Sequence, residues 1–140
     1  MKKNYFLVLL LTLFFSGCSK DVLEKYDNKV IGAWRITEVK RVGIGGNVSE
    51  LTFQSGTFGF FENGQLDYTS EQGILFKGNW DIERVFAGSH SHYQLKITVA
   101  DVSGQQVLSQ TYDNINFTGS ARFTARVFDG LRTYVTRFRK

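Results

Sequence analysis

The stretch HYQLKITVA, residues 92–100, alternates polar and apolar side chains along almost its whole length. Because successive side chains of a β-strand point to opposite faces of the sheet, this pattern predicts a strand with one face in a core and the other in water. The same period of two returns in ILFKGNWDI, residues 74–82, and in RFTARV, residues 122–127. The chain from Gly32 onward is therefore predicted to be all-β.

Turn signals separate these runs. Asn63-Gly64 and Asp129-Gly130 consist of residues that tolerate the positive φ of tight hairpin turns, and Ser103-Gly104 divides two further runs. Strands joined by such short turns lie antiparallel to their neighbours. We predict strands over residues 32–42, 49–54, 57–61, 65–70, 74–83, 92–100, 106–112, 114–118, 121–128 and 131–138.

These strands most simply close on themselves, because closure removes the exposed edges that an open sheet would leave. The predicted fold class is all-β, an antiparallel meander that closes into a β-barrel. Val22, Leu23, Tyr26 and Val30 stand at helical spacing, so a short helix is expected before the first strand.

The N-terminus has the layout of an exported protein. Lys2 and Lys3 precede an apolar run over residues 5–15, and the small pair Ser16-Gly17 stands directly before Cys18, the sole cysteine. This is the pattern of a secretory signal peptide. With a cysteine in this place it resembles the lipobox of bacterial lipoproteins. The resemblance implies that Cys18 becomes the first mature residue and carries fatty chains, such as palmitate, that anchor it in a membrane.

Three segments follow from this organisation. Residues 1–17 are predicted to be the cleaved signal peptide, residues 18–31 the lipidated cysteine with a tether and a short helix, and residues 32–140 the barrel domain. In the lipoproteins that the chain resembles, a serine after the cysteine, here Ser19, implies an outer-membrane address. Both the periplasmic and the outward-facing orientation remain open at this stage.

Charge excludes one class of partner. The chain has 140 residues and a net charge of +4, of which Lys2 and Lys3 lie in the predicted signal peptide. A mature domain of this length suits a single core, and its charge is close to neutral. Nucleic-acid binding is therefore not expected.

Three short motifs give a second resemblance. Gly32-Ala33-Trp34 opens the first strand, FENGQL, residues 61–66, forms a hairpin, and Gly78-Asn79-Trp80 lies in the next long strand. In this order they are similar to the lipocalin-like domain lipoproteins common in Bacteroidetes, a likeness that spans about residues 15–82. The resemblance implies a lipocalin-like barrel with Trp34 packed at its closed end.

Aromatic side chains fall mostly on the apolar faces of the predicted strands. A barrel of eight strands is just wide enough either to be filled by side chains or to hold one small ligand. Two hypotheses therefore stay open: an envelope protein that binds a small hydrophobic molecule, and a filled barrel that serves as a structural or protein-interaction module and binds an envelope protein. The residues predicted to line a ligand site are Trp34, Phe58, Phe60, Phe76, Trp80, Tyr93, Leu95 and Phe123.

Catalytic and metal signatures are weak. His90 and His92 point to the same side of a strand, but no cysteine is at hand, and a polar hairpin explains them equally. Glu62, Asp67 and Glu71 flank one hairpin, where acids are usually solvated. The chain has no nucleophile elbow and no phosphate-binding loop before a helix. No enzyme activity, metal or cofactor is predicted.

Arginines are concentrated in the last predicted hairpin. Because side chains alternate with a period of two along a strand, these arginines are expected to point outward and form the solvated face of the hairpin. The alternative is a site for an anionic head group or an acidic partner. The residues concerned are Arg122, Arg126, Arg132, Arg137 and Arg139.

Overall fold

The computed structural model describes residues 26–43 and 51–140. Residues 26–30 are helical, and eight strands follow. These are β1 (Gly32–Val42), β2 (Thr57–Phe60), β3 (Gln65–Thr69), β4 (Leu75–Ala87), β5 (His90–Asp101), β6 (Val107–Phe117), β7 (Arg122–Asp129) and β8 (Arg132–Arg139). Each strand pairs antiparallel with the next, and β8 pairs with β1 to close the barrel. The predicted fold class is confirmed.

Several predictions lie outside the described residues. These are the signal peptide over residues 1–17, the lipidated Cys18 and the start of the tether. Within residues 26–43 and 51–140, no helix has the length and apolar character needed to cross a bilayer.

One predicted strand is replaced by a cover over the barrel. Residues 51–54, the described part of predicted strand 49–54, do not join the sheet. Leu51 and Phe53 are buried, and the ring of Phe53 packs against Phe58 and Tyr68, with centroids 5.4 and 4.8 Å apart. The alternation of apolar residues there reflects burial against the barrel end, which needs no strand.

Two of the predicted strands form a single strand in the structure. Residues 106–112 and 114–118 both belong to β6. Asn114 has a positive φ of 51°, and the register between β6 and β7 shifts between Asp113 and Asn116. Asp113-Asn114 therefore marks a bulge, which absorbs an extra residue of β6 and lets β6 pair again with β7.

The antiparallel order sorts the connections between two ends of the barrel. The end that we call the helix end holds the helix and the turns 61–64, 88–89 and 118–121. The end that we call the far end holds residues 43 and 51–56 and the turns 70–74, 102–106 and 130–131.

The helix closes the helix end. The indole Nε1 of Trp34 donates a hydrogen bond to the backbone oxygen of Val30, at 2.6 Å. The ring of Tyr26 stacks on Tyr93 at 3.8 Å between centroids and meets Phe117 edge-on. The Trp34 hydrogen bond and this aromatic cluster thus help to fix the helix to the barrel.

Aromatic rings from different strands meet inside the barrel. Phe138 of β8 stacks on Phe123 of β7, with centroids 4.2 Å apart. The same ring meets Tyr112 of β6 at 5.3 Å and Phe58 of β2 at 5.9 Å. Phe138 therefore joins rings from three other strands in one core.

Gly78 lies where the backbones of β4 and β5 leave no room for a Cβ atom. It lies opposite Val99, and a Cβ added to it would overlap the backbone oxygen of Thr98 and lie 2.7 Å from the Cα of Val99. Gly59 of β2 provides a contrast, because the nearest atom to its added Cβ would be in the Phe61 ring at 3.7 Å, an ordinary contact.

We expect Gly78→Ala to lower the free energy of unfolding by about 3 kcal/mol, because the backbone of β5 must move aside. Gly59→Ala should change it by no more than about 1 kcal/mol, since alanine restricts the unfolded chain and clashes with nothing. Urea denaturation of both variants measures the difference. Equal stabilities would contradict the close approach of β4 and β5.

Candidate functional site

Most of the predicted ligand-lining residues are brought together inside the barrel. The buried members of the set are Trp34, Phe58, Phe60, Phe76, Trp80, Leu95 and Phe123. Tyr93 is only partly buried and lies at the helix end beneath Tyr26. The sequence therefore identified residues on the inward faces of several strands, whereas Tyr93 belongs to the aromatic cluster at the helix end.

These side chains are packed against one another with little space between them. Phe58 and Leu95 are 0% exposed, and Trp34, Phe60 and Phe123 are 1% exposed. A cavity that admits even a water molecule would expose the side chains that line it. The part of the interior around these five residues is therefore filled by their own side chains and those of their neighbours.

The larger concave sites lined by described residues open on the outside of the barrel. One of about 840 Å³ runs beside the outward residues Ala33, Gly59 and Lys77. Another, of about 700 Å³, includes Thr124 and Arg137 among its lining residues. Space for a partner or ligand is thus found on the outer surface.

Two buried hydroxyl groups lack hydrogen-bond partners among the described residues: Tyr112 Oη and Thr136 Oγ1. Burial raises the pKa of the Tyr112 phenol far above its usual value, and Tyr68 adds to the effect. Tyr68 itself donates a hydrogen bond to the backbone oxygen of Ser55, at 3.1 Å. Sequence reasoning missed these hydroxyls, because the alternating pattern marks them only as inward-facing positions.

The candidate acid–base and metal residues are dispersed. His92 Nε2 lies 3.5 Å from Asp113 Oδ1, which also accepts a hydrogen bond from Gln94. His90 is exposed and contacts Ser89 through Nδ1, at 3.1 Å. Among the residues that the structure describes, no three histidine, cysteine or acidic side chains are grouped as metal ligands would be.

The acids of the predicted hairpin cluster also face solvent. Glu62 and Glu71 are exposed, and Asp67 is half-buried on the outer face of β3. Glu62 lies in the β2–β3 turn at the helix end and Glu71 in the β3–β4 turn at the far end, so the barrel separates them.

Exposed apolar side chains are concentrated at the far end. They occur at three hairpins and at the end of β1, and Leu131 and Val102 stand at turns with almost no cover. We call this set the apolar rim; it consists of Val42, Ile74, Leu75, Val102, Val107, Phe128 and Leu131. A concentration of exposed apolar side chains at one end of a protein is typical of interaction sites.

Part of the apolar rim forms a lateral row. Val42 of β1 and Phe128 of β7 both pair with Thr133 of β8, and Leu131 lies in the adjoining turn. The sequence could have indicated this patch only through Leu131, an apolar residue that follows the turn signal Asp129-Gly130. The pairing of β8 with both β1 and β7, which brings Val42 and Phe128 together, cannot be read from the sequence.

Comparison of the chain with protein-family models, with curated proteins and with solved structures found no match.

We expect stability to fall above about pH 10. The unfolded chain ionises its tyrosines there, while the buried Tyr112 keeps its proton in the folded state, so the unfolded state binds fewer protons and is favoured as pH rises. In Tyr112→Phe the free energy of unfolding should fall less steeply with pH. The difference in slope corresponds to one proton, about 1.4 kcal/mol per pH unit. Urea denaturation between pH 8 and pH 11 measures it.

Tyr68→Phe is the matched control at pH 8. It loses the hydrogen bond to Ser55 and should cost about 1 kcal/mol, whereas Tyr112→Phe removes an unpaired hydroxyl and should cost nothing. A clear loss of stability in Tyr112→Phe at pH 8 would contradict this account of the buried phenol.

Proposed function

We propose that the chain is a lipid-anchored lipoprotein of the bacterial outer membrane that acts as a non-enzymatic protein-interaction module. The barrel is a filled, lipocalin-like body, and the apolar rim at its far end binds an envelope protein. The observation that carries the proposal is the concentration of exposed apolar side chains at one end of a barrel whose described interior is packed.

The support for a lipid anchor comes from the sequence. Cys18 after Ser16-Gly17 resembles a lipobox, and Tyr26 follows it by eight positions. A chain of that length reaches at most about 28 Å when fully extended. Because Tyr26 is fixed at the helix end, an anchor on Cys18 would hold that end near the bilayer. The apolar rim would then point away from the anchor, on whichever side of the outer membrane the protein faces.

The packed interior favours the interaction module over the small hydrophobic ligand. A ligand inside the barrel would have to separate rings such as Phe123 and Phe138, which stack at 4.2 Å. Each buried aromatic contributes a large apolar area to the core, so the displacement would be costly. The ligand hypothesis would regain support from an apolar molecule that copurifies with the protein.

The proposal assigns no catalytic role to the acidic and basic side chains described above. His90 and Glu62 are exposed, and Lys96 and Glu83 form an outer ion pair with 2.5 Å between Nζ and Oε1. Such groups are solvated and lack the enclosed setting in which acid–base catalysis is effective.

The proposal is tested in intact cells of the native host with a photocrosslinking amino acid at position 131. We expect a discrete crosslinked protein from Leu131, and none from the same reagent at Lys77, an exposed site on the side of the barrel. Phe128→Ser with Val42→Ser should abolish the product, because both side chains adjoin the same patch.

Phe86→Ser is the matched control. It removes an exposed aromatic ring from the helix end and should leave the product unchanged. Feeding the same cells an alkyne analogue of palmitate tests the anchor, and its label should disappear in Cys18→Ser. An unlabelled wild-type protein would overturn the anchor, and a crosslink that survives the rim substitutions would overturn the partner site.

A further inference from the structure

Three arginines form a row across the outside of the barrel. Arg139 of β8 lies directly opposite Arg122 of β7 on one side and Arg35 of β1 on the other. All three are exposed and alternate with inward residues such as Phe138. Side chains opposite each other on neighbouring strands have Cβ atoms about 5 Å apart, so the three arginines start from Cβ atoms within about 10 Å of one another. We call this set the arginine row.

The arginine row lacks counter-charges. None of its three side chains makes a hydrogen bond or ion pair with the residues that the structure describes. The nearest acid in the register, Glu38, contacts Lys40 at 2.9 Å and Arg137. The hydrogen bond from Lys40 and the charge of Arg137 hold the pKa of Glu38 below its usual value, so this acid is already satisfied.

Like charges that face each other across a sheet reduce stability. A row of three therefore costs the barrel free energy, which an anion from outside would recover. Arginine has a planar fork of donors that binds phosphate oxygens in pairs. The groove of about 700 Å³ beside Arg122 and Arg139 also includes Thr118 and Thr124, whose hydroxyls can donate to the same oxygens.

The arginine row lies at the helix end. Arg35 is three residues beyond Gly32, and Arg122 and Arg139 are the terminal residues of β7 and β8 at that end. Lys140 comes next, and its Nζ donates a hydrogen bond to the backbone oxygen of Ile31, at 3.0 Å. The row is therefore beside the segment through which the chain enters the barrel.

We propose that the arginine row binds the phosphate groups of anionic lipids and turns the helix end of the barrel toward the membrane. The proposal rests on the lipid anchor of the proposed function, because the anchor brings the helix end to the bilayer. The row stands on the open outer face, which suits a surface of head groups better than a single enclosed anion. Arg35, Arg122 and Arg139 would then supply the orientation that a flexible tether alone cannot.

The acids of the outer face support one preferred side of contact. Asp67, Asp81 and Glu83 lie on β3 and β4, away from β7, β8 and β1. Lys77 lies opposite Asp67 and Lys96 opposite Asp81, so that side has little net charge, and a negatively charged bilayer attracts the arginine row instead. The barrel would therefore lean on β7, β8 and β1, with the apolar rim directed away from the lipid.

The test measures sedimentation of the mature chain, carrying Cys18→Ser so that it has no acyl chains, with lipid vesicles. We expect binding to phosphatidylcholine vesicles that contain 30% phosphatidylglycerol, weakening with salt, and none to phosphatidylcholine alone. Each arginine-to-glutamine change in the row should weaken binding about fivefold. The triple variant Arg35→Gln, Arg122→Gln, Arg139→Gln should lose about 100-fold, yet unfold no more easily than the parent.

A second triple variant matches the loss of charge at other places on the barrel. It is Lys77→Gln, Arg84→Gln, Lys96→Gln, on the exposed faces of β4 and β5, and it should weaken binding by less than threefold. Equal losses in the two triple variants would overturn the proposal, as would the absence of binding to the anionic vesicles. Capture of an acidic protein by the row in place of vesicles would also overturn it. Because these proteins carry no acyl chain, the result is independent of palmitate labelling at Cys18.

Discussion

The stack of Phe123 on Phe138 lies where rings from several strands meet, and the closure of the barrel depends on this packing. Phe138 also meets Tyr112 of β6 and Phe58 of β2. A sheet that closes with eight strands has an interior about as wide as the side chains that enter it. Half of the buried strand side chains are aromatic, and rings such as Phe138 and Phe58 meet across the interior and join strands that share no hydrogen bonds. The same contacts that stabilise the closed sheet fill the interior around Phe58 and Phe123.

The fold could be predicted from the sequence because its signals are local. The period of two over residues 92–100 and the turn Asn63-Gly64 each depend on a few neighbouring residues. The two strand predictions that the structure corrects concern segments whose conformation depends on residues far away in the sequence. Phe53 alternates like a strand residue but packs over the barrel end on Phe58. Asn114 looks like the end of a strand, but the chain passes through a bulge there and pairs again with β7.

The candidate surfaces were harder to predict, because they depend on lateral register. Sequence analysis found the inward face that holds Phe58 and Leu95, yet alternation gives no volumes and could not decide between a pocket and a filled core. It also grouped the arginines of the last hairpin, although the arginine row includes Arg35, which is 104 positions before Arg139. Closure of β8 on β1 brings these two together, and no pattern within either strand indicates it.

The two ends of the barrel differ in chemistry, and this difference connects the fold to the proposed activity. The helix end holds the arginine row, the far end holds the apolar rim, and both surfaces need a rigid body between them. The central claim is therefore that the interior is filled. Xenon enters dry apolar cavities in proteins, so diffraction from crystals under xenon pressure tests it most directly. We predict no xenon inside the barrel; an ordered xenon atom among Phe58, Tyr112 and Phe138 would contradict the account.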